Sequence, residues 1–279
     1  PGAAMLYGGL GRTSKKHSFL QTTDLDANDA HGFAYAGYAF DGWYAHGETA
    51  PAAKLEPGKA YLAHWKAYVV TYHDNGRTWT GVETVQKHEL SLRGDDMIFN
   101  GWNTQPDGSG EWVAGGTVLT SDLTLYAQYI SISQDVLLYV SDGWFGGQNF
   151  KRIEPLDGFD TFELPETLNG KNILTWCQYY TDYEKGDKYI RTTFREPGKQ
   201  IMQPGTIARA ILPGGTSLAA DEILLCGNGG TRTDGQKNEQ KYQLLTVPLT
   251  ASDLTLANYA FSKDGKTQTA WNTQPDGRG

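Results

Sequence analysis

Histidines and clustered carboxylates are the side chains of this sequence that could perform chemistry. The histidines are His17, His31, His46, His64, His73 and His88. Their spacing matches neither the ligand pattern of a zinc site nor a zinc-protease motif. The sequence also lacks a Gly-x-Ser-x-Gly nucleophile elbow and a phosphate-binding glycine loop. We therefore expect a protein that is not an enzyme and holds no metal and no cofactor.

Two acidic clusters have simpler explanations than chemistry. Asp95 and Asp96 are adjacent, and neighbouring residues of a strand point to opposite faces, so a solvated turn suits them better than a carboxylate pair. The run that starts at Asp24 offers the clustered oxygens that calcium prefers. Its sixth position is Asp29 instead of glycine and its twelfth is Tyr35 instead of an acidic residue. A helix cap or a solvated turn is the preferred interpretation.

The composition argues against several classes of protein. Lys and Arg number 24 and Asp and Glu number 32, which gives a net charge of −8 and no basic excess for nucleic acid. The sequence contains no run of about 18 apolar residues, the length that a membrane-spanning helix needs. No secretory leader is visible after Pro1. The two cysteines, Cys177 and Cys226, are too few for a disulfide scaffold. Buried free thiols are preferred, and one bridge is the alternative.

Imperfect repeats run along the sequence and predict the elements that position these candidate side chains. The segment Asn100–Gly108 reappears as Ala270–Gly277, Phe40–Tyr44 is a looser copy, and a degenerate copy ends at Trp176. A strand and a tight turn precede each copy, with Gly8-Gly9 in the first and Asn75-Gly76, Asp142-Gly143 and Asn228-Gly229 in the others. A strand of alternating polarity follows most copies. The pattern predicts a mostly β protein with short helical turns, after Pro165 or around Asp24–His31. Its segments would be 1–66, 67–131, a divergent aromatic-rich 132–218, and 219–279, which lacks its last strand.

One tryptophan in each segment is expected to form the core. Burial of one tryptophan removes about 150–250 Å² of surface from water. This area is a large share of the core of a unit of about 60 residues, which is small. Trp43, Trp102 and Trp271 are therefore predicted to be buried. Gly42 and Gly101, which precede two of them, are expected to allow a bulge or the close approach of another strand.

The third segment carries the best candidate for a binding surface. Tyr and Trp give a large, rigid contact area with a polar group, and they concentrate at recognition surfaces. A second small aromatic core is the alternative, and the sequence leaves both open. The candidate binding residues are Trp144, Phe145, Tyr179, Tyr180, Tyr183 and Tyr189.

Residues 68–130 resemble the Listeria–Bacteroides repeat, also called the internalin B-repeat. The resemblance rests on Tyr72–Gly76, Phe99–Trp102 and Leu123–Tyr129. It implies tandem small β-grasp-like modules without catalysis, strung along a large surface or secreted protein of a Gram-positive bacterium. The fragment would then be extracellular or attached to the cell wall, as a monomer within a longer repeat chain.

Three functions agree with these expectations. The first is an adhesin-like binding fragment that recognises a host protein or glycoprotein, such as immunoglobulin or mucin, through strand edges and aromatic loops. The second is a structural spacer whose stacked modules hold another domain away from the cell. The third is an accessory carbohydrate-binding region of an extracellular enzyme. None of the three needs nucleic acid or insertion into a membrane.

Overall fold

The protein is mostly β and divides into two compact units. The computed structural model describes residues 3–8, 17–21, 26–88, 97–132, 135–141, 143–182, 189–215, 217–218, 222–233, 239–246, 260–268 and 270–272. Unit 1 comprises Pro1–Leu90, Phe99–Ile130 and Asp142–Asn149, and unit 2 comprises Ser91–Ile98, Ser131–Ser141 and Phe150–Gly279. The division into four tandem segments stays a prediction.

Strands account for nearly all of the regular structure in these ranges. In chain order they are β1 (Ala3–Tyr7), β2 (His17–Gln21), β3 (Tyr38–Ala45), β4 (Ala60–Ala67), β5 (Val69–Asp74), β6 (Arg77–Val82), β7 (Met97–Asn103), β8 (Trp112–Val113), β9 (Leu123–Ser131), β10 (Val136–Tyr139), β11 (Phe150–Ile153), β12 (Thr161–Leu164), β13 (Thr167–Leu168), β14 (Lys171–Asn172), β15 (Thr175–Asp182), β16 (Tyr189–Arg195), β17 (Gly198–Ile201), β18 (Thr206–Ile211), β19 (Glu222–Cys226), β20 (Arg232–Thr233), β21 (Glu239–Gln240), β22 (Tyr242–Thr246), β23 (Ser262–Lys263) and β24 (Lys266–Thr267).

Three sheets share one topology. Their orders are β2-β1-β4-β3, β6-β5-β9-β7-β8 and β11-β10-β18-β15-β16. In each, the opening strand pairs antiparallel with the strand that follows it and parallel with a later closing strand. The closing strand lies between the opening strand and the strand that carries the tryptophan. A parallel pair needs a crossover connection, and the tryptophan strand with its loops provides it. The predicted mostly β, β-grasp-like class is confirmed.

Short ribbons complete the described structure. They pair β12 with β17, β13 with β14, β19 with β22, β20 with β21, and β23 with β24. The helical turn predicted after Pro165 is wrong, because Thr167–Leu168 pairs as a strand with Lys171–Asn172. In the described part of the chain the helical conformation is a single 3₁₀ turn at Pro213–Gly215.

One of two hairpin turns predicted from the sequence has the expected form, and the other is a longer loop. Between β5 and β6, Asn75 and Gly76 have φ values of 45° and 79°, as the Asn-Gly pair predicts. The tight turn expected near Gly143 is instead a longer loop that ends before Phe150. The N–H of Asn149 donates to the carbonyl of Asn100 at 2.7 Å, so this loop has hydrogen-bond partners outside its own hairpin.

The three large sheets each bury one tryptophan. Trp43 and Trp176 are 0% exposed and Trp102 is 2% exposed, which confirms Trp43 and Trp102 as core residues. Each indole N–H donates to a carbonyl in a loop that precedes its strand. The pairs are Trp43 to Asp29 at 2.8 Å, Trp102 to Gln86 at 3.3 Å and Trp176 to Pro165 at 3.0 Å. A buried indole N–H needs such a partner.

Trp271 behaves differently from the other three tryptophans. It is only partly buried, and it packs against a small cluster of Leu225, Leu245 and Phe261. Its ring nitrogen is shielded from solvent and has no hydrogen-bond partner among the described residues. The prediction that Trp271 is a core residue is therefore confirmed only in part.

At the positions before Trp43 and Trp102, the backbone conformation and the closeness of neighbouring atoms require glycine. A bulge shifts the β3–β4 register between Phe40 and Gly42, where φ is +123°. A Cβ on Gly101 would lie 2.8 Å from the carbonyl oxygen of Gly147. The predicted bulge is confirmed, and the predicted close approach is confirmed with a loop as the neighbour instead of a strand.

The asparagine after Trp102 explains why the repeated segment extends so far. Asn103 is fully buried. Its Oδ1 accepts the N–H groups of Gln105 and Gly110, and its Nδ2 donates to the carbonyls of Gly108 and Gly110. One amide therefore satisfies four backbone groups and fixes the Gln105–Gly110 loop.

Candidate functional site

The aromatic loop predicted to bind a partner is well ordered and only half exposed. Trp144 and Phe145 are both half-buried. Phe145 and Gln148 exchange two backbone hydrogen bonds, of 2.9 and 3.3 Å, that close a tight turn. A Cβ on Gly147 would lie 2.5 Å from Cβ of Trp112, so the turn packs closely against β8 within unit 1. The two aromatic rings offer a partner only part of their area.

The predicted tyrosines have different environments. Tyr179 is buried in β15, and its hydroxyl accepts a hydrogen bond from Nη1 of Arg209 at 3.2 Å. Tyr180 lies in β15 and Tyr189 in β16, and for both only the backbone is described. Tyr183 lies outside the described residues. A binding role for this set stays a prediction.

A buried charged cluster surrounds Tyr179. Arg209 donates to both carboxylate oxygens of Glu222 at 2.7 Å and to the carbonyl of Ser217 at 2.6 Å. Burial by itself lowers the pKa of Arg209, but its hydrogen bonds to Glu222 and Tyr179 outweigh burial and hold the pKa above its ordinary value. The cluster joins β18 to β19. Both Nη atoms of Arg209 are hydrogen-bonded, whereas its buried Nε has no partner among the described residues. It has the character of a structural ion pair.

The two cysteines are free thiols with different exposure. Cys177 is buried and Cys226 is exposed, so the preference for two buried thiols is right for Cys177 and wrong for Cys226. Burial raises the pKa of Cys177 to about 11. A thiol reacts through its thiolate, so Cys177 is inert at neutral pH.

Alkylation should distinguish the two thiols. In the native protein at pH 8, iodoacetamide is expected to modify Cys226 and to leave Cys177 unmodified until denaturant is added. Peptide mass spectrometry of samples treated with and without urea measures this. Equal modification of both thiols in the native protein would contradict the burial of Cys177.

Among the described residues, the most exposed large apolar side chains belong to residues at one end of the β12–β17 ribbon. Leu156, Phe159 and Ile201, here called the apolar tip, are 56%, 84% and 68% exposed. Ile201 lies opposite Thr161 in the ribbon, and the N–H of Leu156 donates to the carbonyl of Thr161 at 2.7 Å. Thr161 is therefore a backbone neighbour of both Leu156 and Ile201, and Phe159 lies in the adjoining turn.

The turn that carries Phe159 is fixed by one carboxylate. Oδ1 of Asp157 accepts the N–H groups of Phe159 at 2.9 Å and of Thr161 at 3.2 Å. Hydrogen bonds from the Thr161 side chain and from these amides lower the pKa of Asp157 to about 2. Gly158 supplies the positive φ of 75°. Phe159 is thus presented on an ordered turn, which reduces the entropy lost on binding.

The surroundings of the apolar tip are acidic. Glu154, Asp157, Asp160 and Glu163 are exposed, and the stretch from Glu154 to Glu163 contains no Lys or Arg. Lys199 lies opposite Glu163 in the ribbon. The charged residues closest to Phe159 in sequence are therefore negative.

Sequence reasoning missed the apolar tip because it searched for Tyr and Trp. The available signal was Leu156-Asp157-Gly158-Phe159. Asp-Gly predicts a turn, and a large apolar residue on each side of that turn cannot be buried in a loop this short. The exposure of Ile201 has no comparable signal, because alternation in β17 does not tell which face meets solvent.

A second exposed surface lies on the outer face of the first sheet. Tyr7, Leu62 and Tyr44 are cross-strand neighbours in β1, β4 and β3, and Tyr7 and Leu62 are exposed. The rings of Tyr44 and His64 stack with centroids 3.7 Å apart and an interplanar angle of 12°. Each of the two stacked rings therefore covers one face of the other.

The second sheet, formed by β5 to β9, lies in a segment that matches a known family of repeats. Residues 68–128 match the family model of the Listeria-Bacteroides repeat domain. The predicted resemblance is confirmed over this segment. Proteins that contain this repeat are typically extracellular or located at the cell surface. No curated protein and no solved structure matches the chain.

The described ranges meet neither the requirements of a metal site nor those of a membrane-spanning helix. No three His, Cys, Asp or Glu side chains there are arranged to hold a metal ion. Asp26 and Asp29, from the acidic run considered for calcium, accept the N–H groups of Asn28 and His31 in local turns. None of the helical structure described is long and apolar enough to span a membrane. Asp95 and Asp96 lie outside these ranges.

Proposed function

We propose that this chain is a non-catalytic binding fragment of a bacterial surface or secreted repeat protein. It recognises a host protein or glycoprotein, such as an immunoglobulin or a mucin, and the apolar tip makes the central contact. The observation that carries the proposal is the 84% exposure of Phe159 on a turn ordered by Asp157. The repeat match at residues 68–128 supports the surface location.

The energetics of recognition favour this surface. A large apolar side chain exposed to water contributes nothing to the fold, but it gains about 1.5–3 kcal/mol when a partner buries it. Interfaces concentrate their binding energy in a few such anchors, surrounded by a polar rim. Leu156 and Ile201 extend the buried area around Phe159, and exposed carboxylates border it.

Replacing Phe159 tests the proposal. Immobilised full chain is expected to retain a protein from serum or mucosal secretions, and Phe159→Ser should weaken that binding about 30-fold, which corresponds to about 2 kcal/mol for a central contact. Quantitative mass spectrometry of the retained proteins measures the difference.

Val82→Ser is the matched control. Val82 is 53% exposed in unit 1, so its replacement removes a similar apolar group elsewhere. It should leave the retained protein unchanged. Retention of the same proteins in the same amounts by wild type, Phe159→Ser and Val82→Ser would overturn the proposal, as would retention of none.

A spacer role is the second candidate, and the junction of the first two sheets favours it. Only Tyr68 separates β4 from β5. Its N–H donates to the carbonyl of Gly37 at 2.9 Å, its carbonyl accepts the N–H of Glu83 at 3.2 Å, and the hydroxyl of Tyr38 donates to Glu83. This junction has no flexible linker. An extended scattering envelope together with no captured partner would favour the spacer role over recognition.

A further inference from the structure

We infer that the partner of the apolar tip is a protein surface with an apolar pocket bordered by Lys and Arg side chains. This inference rests on the proposed function and deepens it, because it states the chemistry of the partner. It is carried by the shape of the tip and by the sign of the charges around it.

The shape of the tip requires a concave partner. Phe159 projects from a turn with 84% of its surface in solvent, and the neighbouring Leu156 is 56% exposed. A flat partner would cover only one side of such a ring. Burial of the whole ring needs a pocket, and hot-spot aromatic residues are characteristically buried in pockets of this kind.

The charges around the tip require a basic rim on the partner. Glu154, Asp157 and Asp160 flank Leu156 and Phe159 in sequence, all three are exposed, and none of them forms a salt bridge with Lys or Arg within the described ranges. The Asp157 carboxyl, whose pKa is lowered to about 2, stays ionised at any physiological pH. An acidic partner surface would be repelled as the ring enters the pocket, whereas a basic one is attracted and steered.

Neutralising two of the carboxylates tests this charge complementarity. Asp160→Asn with Glu154→Gln removes two negative charges and keeps Phe159. Asp157 is left unchanged because it holds the turn. The probe is the protein that the wild-type chain retains from serum or mucosal secretions, and its binding is measured at 50 and 500 mM NaCl. The double variant is expected to bind about fivefold more weakly at low salt, the size of two exposed ion pairs, and equally at high salt, where such pairs are screened.

The matched control neutralises two exposed carboxylates of unit 1. Asp41→Asn with Glu48→Gln changes the net charge by the same amount, and both residues are exposed. This variant should bind like wild type at both salt concentrations. An equal loss in both double variants would show a general charge effect and would overturn the inference.

The outcomes separate this inference from the proposed function. If Phe159→Ser retains the protein as well as wild type does, the proposed function fails and the inference fails with it. If Phe159→Ser loses the protein while Asp160→Asn with Glu154→Gln binds as well as wild type or more tightly, the tip is a binding site but its partner has no basic rim. In that case only the inference is overturned.

Discussion

Trp102→Ala is expected to lower the free energy of unfolding of unit 1 by about 3–5 kcal/mol, the usual cost of truncating a buried aromatic residue. The ring is 2% exposed, and its centroid lies 4.6 Å from that of Tyr72 and 5.0 Å from that of Phe99. Its N–H bonds to the carbonyl of Gln86. The substitution leaves a cavity and an unpaired carbonyl, and a domain is stable by only about 5–15 kcal/mol in total.

Urea unfolding, followed by tryptophan fluorescence and circular dichroism, measures this loss. Leu62→Ala is the control, because Leu62 is 45% exposed on the outer face of the first sheet. Its replacement should change stability by no more than about 0.5 kcal/mol. If Trp102→Ala costs as little as Leu62→Ala, the core of the second sheet does not depend on the indole ring of Trp102.

Glu222→Leu is expected to cost about 3–5 kcal/mol, because it leaves the guanidinium of Arg209 buried without its counter-charge. The side chains of Arg209 and Glu222 are only 6% and 12% exposed, and two hydrogen bonds of 2.7 Å join them. The remaining contacts of Arg209, to Tyr179 and the carbonyl of Ser217, do not supply a negative charge. Unit 2 should therefore unfold at a clearly lower urea concentration.

A double-mutant cycle distinguishes the loss of an ion pair from the loss of packing. Arg209→Met combined with Glu222→Leu removes both charges and keeps similar volume, so it should be far more stable than Glu222→Leu alone. Thermal unfolding of the single and double variants provides the comparison. If the double variant is as unstable as the single one, packing of these side chains is what stabilises the region.

The sequence predicts what depends on local chemistry. Asn75 and Gly76 determine their hairpin because only a few residue types tolerate their positive φ. Trp43 and Trp102 are recognised as core because each is the large aromatic residue of a repeated segment in a unit with a small core. The buried Asn103 is part of a repeated segment, and its four hydrogen bonds to a single loop explain why that segment repeats as a block.

Long-range placement is what the sequence leaves open. Arg209 and Glu222 look like ordinary surface charges until the pairing of β18 with β15 and the position of β19 are known. The exposure of Phe159 depends on which groups fail to cover it, and no local pattern encodes that. The loop before Phe150 is longer than its Asp-Gly pair suggests because its hydrogen-bond partners lie in the second sheet.

A search centred on tryptophan also passes over one repeat. The residues of Ser121–Leu125, at the start of the closing strand β9, recur unchanged as Ser252–Leu256. This copy precedes Trp271, whereas Ser121–Leu125 follows Trp102, so the last strand after Trp271 is still predicted to be missing. The copy falls outside the described residues, so any strand there stays a prediction from the sequence.

Hydrogen–deuterium exchange of the captured complex tests the central claim most directly. The backbone amides of residues 154–163 should exchange more slowly when the partner retained from serum or secretions is bound, because the partner covers the turn that presents Phe159. The outer faces of the first two sheets should exchange at the same rate with and without the partner. Protection confined to those sheets, with residues 154–163 unchanged, would contradict recognition through the apolar tip.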